Sequence, residues 1–153
     1  MNRHSFLYGN DPTDPAGQQL RGQRVYCSSR GQRGGCGRTF CIFFSDVLPR
    51  HSVTAAWFWK LLDQLLTGAS LKAAVHSLAL PFALETLYRL RQRLRLRLDV
   101  LRPLLCQRQK PPTATGAEAD PLLHTLRHVQ ALFSEAACPL QEFQLLFARP
   151  LMG

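Results

Sequence analysis

Cys27 and Cys36 sit in the stretch RVYCSSRGQRGGCGRTF, residues 24 to 40, with eight residues between them, and Cys41 follows five positions beyond Cys36. Thiolates are soft anions that hold Zn²⁺, and structural zinc takes four ligands, usually as two pairs with two to four residues between partners. The chain offers one widened pair, Cys27 and Cys36, and upstream of it only His4. The chemistry within reach is therefore structural zinc with an incomplete ligand set, and the competing reading is small free cysteines. Cys106 and Cys138 stand alone near expected helix ends and are read as plain residues.

The same stretch holds four arginines, four glycines and no leucine or isoleucine, so it is not a core segment. Its glycines permit tight turns. Arg30, Arg33 and Arg38 are placed to meet phosphates. Catalytic chemistry finds little footing. No pair of carboxylates on a strand-rich scaffold is placed to hold two divalent metals, and no nucleophile motif surrounds Ser, His and Asp. GQRGGCG has the glycine of a phosphate loop but not its GK[ST] ending. The chain is read as no enzyme. His51, His76, His124 and His128 are expected at surface or cap positions; His124 and His128 share a helix face but lack a partner ligand.

Charge gives the stronger signal. The formal net charge is +9, from 19 Lys/Arg against 10 Asp/Glu. Residues 1 to 110 carry 17 of the basic and 6 of the acidic residues, and residues 111 to 153 carry 2 and 4. Arginine dominates, and its planar fork binds phosphates and guanine edges bidentately. A polyanion, nucleic acid before membrane, is the expected partner. No apolar run reaches the ~18 residues of a membrane span. No signal peptide is visible at the N-terminus, so the expected location is cytoplasmic, with reduced cysteines.

These residues need elements to position them. Short strands are expected near Ser5 to Tyr8, at Gln23 to Cys27 and at Thr39 to Phe44, the last two flanking the Gly/Arg loop as a hairpin. Ser52 or Thr54 can cap a helix running to about Leu66, with Gly68 at its C′ position, and Ser70 caps a second helix to about Leu78. Pro81 opens a long third helix that Pro103 kinks or ends. Leu87, Leu90, Leu94, Leu98, Leu101 and Leu105 form its stripe at three- and four-residue steps, so the RLRLRL run is helix rather than strand. After a Pro/Gly/Thr-rich linker, Asp120 caps an amphipathic helix, and residues 139 to 150 add a helical turn or an extended tail. The expected fold is mainly α, with a three-helix unit behind a small β hairpin.

Three helices with a tight turn before the last read as a helix-turn-helix. Its recognition helix would present Phe82, Glu85, Thr86, Arg89 and Gln92 outward with Arg93 beside them, and Arg and Gln are side chains that read base edges.

RVYCSSRGQRGGCGRTF, RHSVTAAWFWKLL, GASLKAA and ETLYRLRQRLR together resemble the zinc-ribbon plus helix-turn-helix region of insertion-element transposases and of the small DNA-binding proteins encoded beside them. The resemblance runs from Arg24 to Arg97, about half the chain, and CGRTF is its most specific piece. It implies a ribbon that anchors the fold and assists DNA contact, Cys27 and Cys36 as zinc ligands, and a helix-turn-helix that binds the element's terminal repeats. The chain departs from the pattern in lacking the ribbon's first cysteine pair: either it begins downstream of its true start, or the ribbon has lost its metal. No transposase catalytic domain follows. The implied organisation is a partial ribbon-like β segment at 1–48, a helix-turn-helix domain at 49–110, a linker at 111–120 and a C-terminal helical segment at 121–153. The expected function is a non-catalytic DNA-binding protein of transposition, with DNA and a homodimer or separate transposase subunit as partners. The alternatives are a helical dimerisation or adaptor protein with a basic surface, and a small transcriptional regulator.

Overall fold

A computed structural model describes residues 2–11, 16–28, 34–79, 82–113 and 120–152. Three strands come first: β1 (Asn2–Asn10), β2 (Gln18–Tyr26) and β3 (Thr39–Phe43). They form an antiparallel sheet in the order β1-β2-β3, with Tyr26 opposite Thr39 and Gly22 opposite Phe43. The hairpin expected around the Gly/Arg loop is present, and β1 is longer than the alternation around Ser5 to Tyr8 predicts. Its register with β2 is broken between Arg3 and Ser5 and between Leu7 and Tyr8.

Six helices follow among the described residues: α1 (Ala55–Leu66), α2 (Leu71–Ser77), α3 (Leu84–Arg95), α4 (Leu98–Cys106), α5 (Pro121–Leu132) and α6 (Pro139–Phe147). The local signals work where capping chemistry decides. Thr54 Oγ1 accepts from Trp57 N–H and Ser70 Oγ from Ala73 N–H, each satisfying a donor that the first helical turn leaves unpaired. Asp120 Oδ1 does the same for Leu122 N–H. Gly68 follows the end of α1 at φ +91, a conformation that suits glycine.

The long third helix is not one helix. It starts at Leu84 rather than at Pro81, which lies outside the described residues, and it breaks at Leu96 and Arg97. Two physical causes act at the break. Arg93/Arg97 is a like-charged i,i+4 pair across it, a kind that destabilises a helix by a few tenths of a kcal/mol. The two halves also serve different partners, α3 packing on α2 and α4 on α5. The leucine stripe crosses the break intact, with Leu87, Leu90, Leu94, Leu101 and Leu105 all buried and Leu98 partly so. Pro103 neither ends nor begins a helix; it sits inside α4, whose buried Leu101 and Leu105 hold the turn in place.

The core is helical. It gathers Leu48, Phe58, Leu61, Leu62, Leu87, Leu94, Leu105, Leu122, Leu140, Phe143, Leu151 and Met152 into one cluster, so α5 and α6 share it with α1 to α4. Where a helical turn or an extended tail is expected from residue 139, the chain forms a nine-residue helix, α6. Buried Gln144 on α6 fastens it: Nε2 donates to the carbonyls of Ser45 (2.5 Å) and Val47 (3.2 Å), and Oε1 accepts from Leu151 N–H. Two histidines expected at the surface or at caps instead pin α5 to the chain that follows α4. His124 Nε2 donates to the Pro112 carbonyl and His128 Nε2 to that of Gln109, both at 3.0 Å. His128 is buried, and that burial lowers its pKa.

Candidate nucleic-acid interface

The strap from β3 to α1 turns sharply because Leu48 is fully buried and His51 N–H bonds back to its carbonyl. Val47 also bridges to Thr54. The turn forces Arg50 into the left-handed region at φ +67, a conformation that costs a residue with a Cβ about 1–2 kcal/mol. It brings Arg50 and His51 to the last turn of α3. There Arg93 Nη1 lies 3.4 Å from His51 Nε2, and Arg50, His51, Arg93, Leu96 and Arg97 line a cleft of about 510 Å³.

Among these lining residues none is acidic. Arg97 reaches the Pro150 carbonyl only at 3.5 Å through Nη2, while its buried Nε has no hydrogen-bond partner. Arg21, on β2, donates to the Leu48 carbonyl at 3.4 Å. Burial lowers the His51 pKa, and the positive charges of Arg93, Arg21 and Arg50 lower it further. The guanidinium groups around His51 disfavour its protonated form, and Asp46, beside Arg21, is a carboxylate close to this group.

Strain at Arg50 gives a direct check. Arg50→Gly should raise folding stability by about 0.5–1 kcal/mol, since glycine tolerates this φ and loses some of that gain to unfolded-state entropy. The same change removes one cation from the cleft. Thermal melts and a DNA titration on one preparation should therefore move in opposite directions, and a drop in both would show that the Arg50 backbone is unstrained.

The helix residues predicted to face DNA are only partly together. Thr86, Arg89 and Gln92 are exposed on α3, and Arg93 belongs to the cleft. Glu85 does not stand free, because its Oε1 pairs with Arg89 Nη2 at 2.5 Å one turn on. Phe82 is a correction. It precedes α3 and packs against the core, its ring 6.4 Å from Trp57 in an edge-on arrangement, because a half-buried aromatic gains more from that contact than from water. The α2–α3 connection, residues 78–83, is longer than the three- or four-residue turn of a standard helix-turn-helix. Arg91 and Arg95 point elsewhere, to Asp120 Oδ2 at 3.4 and 2.5 Å. Burial pushes the Asp120 carboxyl up, but Leu122 N–H and these two arginines outweigh it and leave the pKa lowered.

No family model, no curated protein and no solved structure matches the chain.

At the loop, Cys36 N–H donates to Cys27 Sγ at 3.3 Å, and Cys27 exchanges backbone bonds with Arg38 and Gly37. Gly37 stands at φ +67, so the turn that folds Cys36 over Cys27 suits glycine. The Cys36 N–H lowers the Cys27 pKa and favours its thiolate. The two cysteines named from their spacing are neighbours here. A third ligand is missing: among the described residues no three His, Cys, Asp or Glu side chains could hold a metal, and Cys41 is exposed on β3. Two thiolates do not close a tetrahedral zinc site, so zinc takes no part in the reading below. Arg38 is exposed beside the pair, while Arg30 and Arg33 lie outside the described residues.

Arg50, His51, Arg97 and Arg21 were missed by sequence reasoning. The arginines' one signal was the charge excess of the N-terminal 110 residues, which names no residue and does not count His51.

Proposed function

We propose that the chain is a non-catalytic DNA-binding protein of the transposition type, using α1 to α3 as a helix-turn-helix variant. The observation that carries this reading is the carboxylate-free arginine cleft at the C-terminal end of α3. A helix laid in a major groove needs backbone contacts to fix its register and side chains to read bases. Arg50, Arg93 and Arg97 would supply the first, and Thr86, Arg89 and Gln92, exposed along the same helix from its first turn to its third, would supply the second. The Cys27–Cys36 turn with Arg38 would add a further phosphate contact. The alternative of a dimer or adaptor built on the leucine stripe has less support, because that stripe is consumed by the chain's own core.

Selection of binding sites from a random duplex pool tests the reading. Arg89→Ala and Gln92→Ala should each weaken binding to the selected site by about 1–3 kcal/mol and relax preference at one base pair, with little effect on a scrambled duplex. Arg102→Ala, on exposed α4 surface, should stay within about 0.5 kcal/mol of the parent. Equal losses for Arg89 and Arg102 on both duplexes would leave only non-specific binding by a basic surface.

A further inference from the structure

The sheet leaves an aromatic face open. Strand pairing sets Tyr8 opposite Leu20, Phe6 opposite Gln23, Gln23 opposite Ile42, and Val25 opposite Phe40. Side chains alternate along a strand and paired residues share a face, so these project together. Val25 at the centre is 5% exposed, whereas Phe6 is 53%, Tyr8 59%, Phe40 42% and Ile42 48% exposed. The Phe6 and Tyr8 rings stand 6.4 Å apart at 64°. No helix packs extensively on the sheet.

Charge decides what fits there. The three strands carry arginine at positions 3, 21 and 24, histidine at 4, and no aspartate or glutamate, so the sheet as a whole is cationic, although Arg24, between Gln23 and Val25, projects from the face opposite the rings. A second copy laid face to face would bring two cationic sheets together. An anionic partner with flat apolar rings meets both properties. The sheet also runs into the arginine cleft, because Arg21 on β2 bonds to the strap at Leu48 and sits close enough to lower the His51 pKa. Asp46 stands beside Arg21 on this path, and the arginines at 21, 50, 93 and 97 outnumber it.

We propose that this face is a stacking platform for unpaired bases of single-stranded DNA, with the phosphates following the arginines toward the cleft. Bases have π faces whatever their identity, so rings on an open cationic sheet bind them without strong sequence preference. The proposal goes beyond duplex recognition by α3 and stands on different residues.

The test is fluorescence anisotropy with the full chain, using a labelled 20-nucleotide oligo-dT, the matching oligo-rU and a 20-base-pair duplex. The triple variant Phe6→Ala/Tyr8→Ala/Phe40→Ala should lose roughly tenfold or more of its oligo-dT affinity, as removal of stacking rings does elsewhere. Its duplex affinity should remain within about twofold, because the α3 face and cleft are untouched. Phe6→Tyr and Phe40→Tyr, which keep the rings, should bind oligo-dT like the parent. Should the triple variant not fold, Tyr8→Ser and Phe6→Ser singly decide the matter, each expected to weaken oligo-dT binding severalfold. Unchanged oligo-dT binding in ring-less chains overturns the proposal, as does binding to oligo-rU alone. So does a parent dimer, seen by sedimentation, that becomes monomeric in the variant, since the face would then hold a second copy. A chain that binds oligo-dT through its rings but ignores every duplex would sink the helix-turn-helix reading and leave this one standing.

Discussion

A chain ending at Lys110 is expected to show no cooperative thermal transition. Leu122, Leu126, Val129, Leu140, Phe143, Leu151 and Met152 are all essentially buried in the core shared with α1 to α4. Emptying one buried Leu or Phe site costs about 2–5 kcal/mol, and a whole domain is stable by only about 5–15 kcal/mol. Losing seven such side chains at once exceeds that margin. Polar anchors go too: Arg91 and Arg95 lose Asp120, and the Ser45 and Val47 carbonyls lose Gln144. Calorimetry and near-ultraviolet circular dichroism would read the result. A shortened chain that melts cooperatively would show residues 121–153 to be an appendage, as their acidic composition and the preceding linker predict.

The second large effect is on binding. Arg93→Ala combined with Arg97→Ala should weaken binding to any duplex by roughly tenfold to a hundredfold at moderate salt. It should also reduce the slope of log affinity against log salt by about 1 to 2, one phosphate contact being lost for each arginine. Neither change empties the core, since Arg93 is exposed and Arg97 makes only the long contact to Pro150, so the melting profile should stay close to that of the parent. An unchanged salt slope would mean that the cleft does not meet phosphate, whatever happens to the affinity. Arg91→Ala serves as the control: it removes an equal charge, but one that faces Asp120 rather than the cleft.

What the sequence made legible follows the range of the interaction. Thr54, Ser70 and Asp120 act within three residues of themselves, and each caps the helix its position predicts. The leucine stripe is a local periodicity, and its burial came out as the spacing implies. Cys27 and Cys36, with eight residues between them in the chain, lie between two paired strands and meet through the Cys36 N–H. The break at Leu96 and Arg97 was hidden because periodicity continues across it, while the contacts that distinguish the halves, α3 with α2 and α4 with α5, are made outside the helix. Phe82 looked like an outward helix residue, because its edge-on partner Trp57 lies 25 positions back. The cleft was invisible for the same reason. Arg93 and His51 are 42 residues apart, and neither stands out among the arginines and histidines around it. Gln144 reads as one more polar residue on an amphipathic helix, and its bonds span up to 99 residues.

That span sets an order of events at the ribosome. The strap that shapes the Arg50 turn is made early, but its carbonyls at Ser45 and Val47 wait for a partner at position 144. At ~5–20 residues per second, about 2–8 s pass between the synthesis of Cys106, which completes α4, and that of Gln144. During that interval the leucine faces of α1 and α4 have no α5 or α6 to cover them. Exposed apolar faces of that kind are what makes incomplete chains prone to aggregate. Stalling translation within α5 should therefore be far more damaging to the yield of folded protein than stalling it within the sheet.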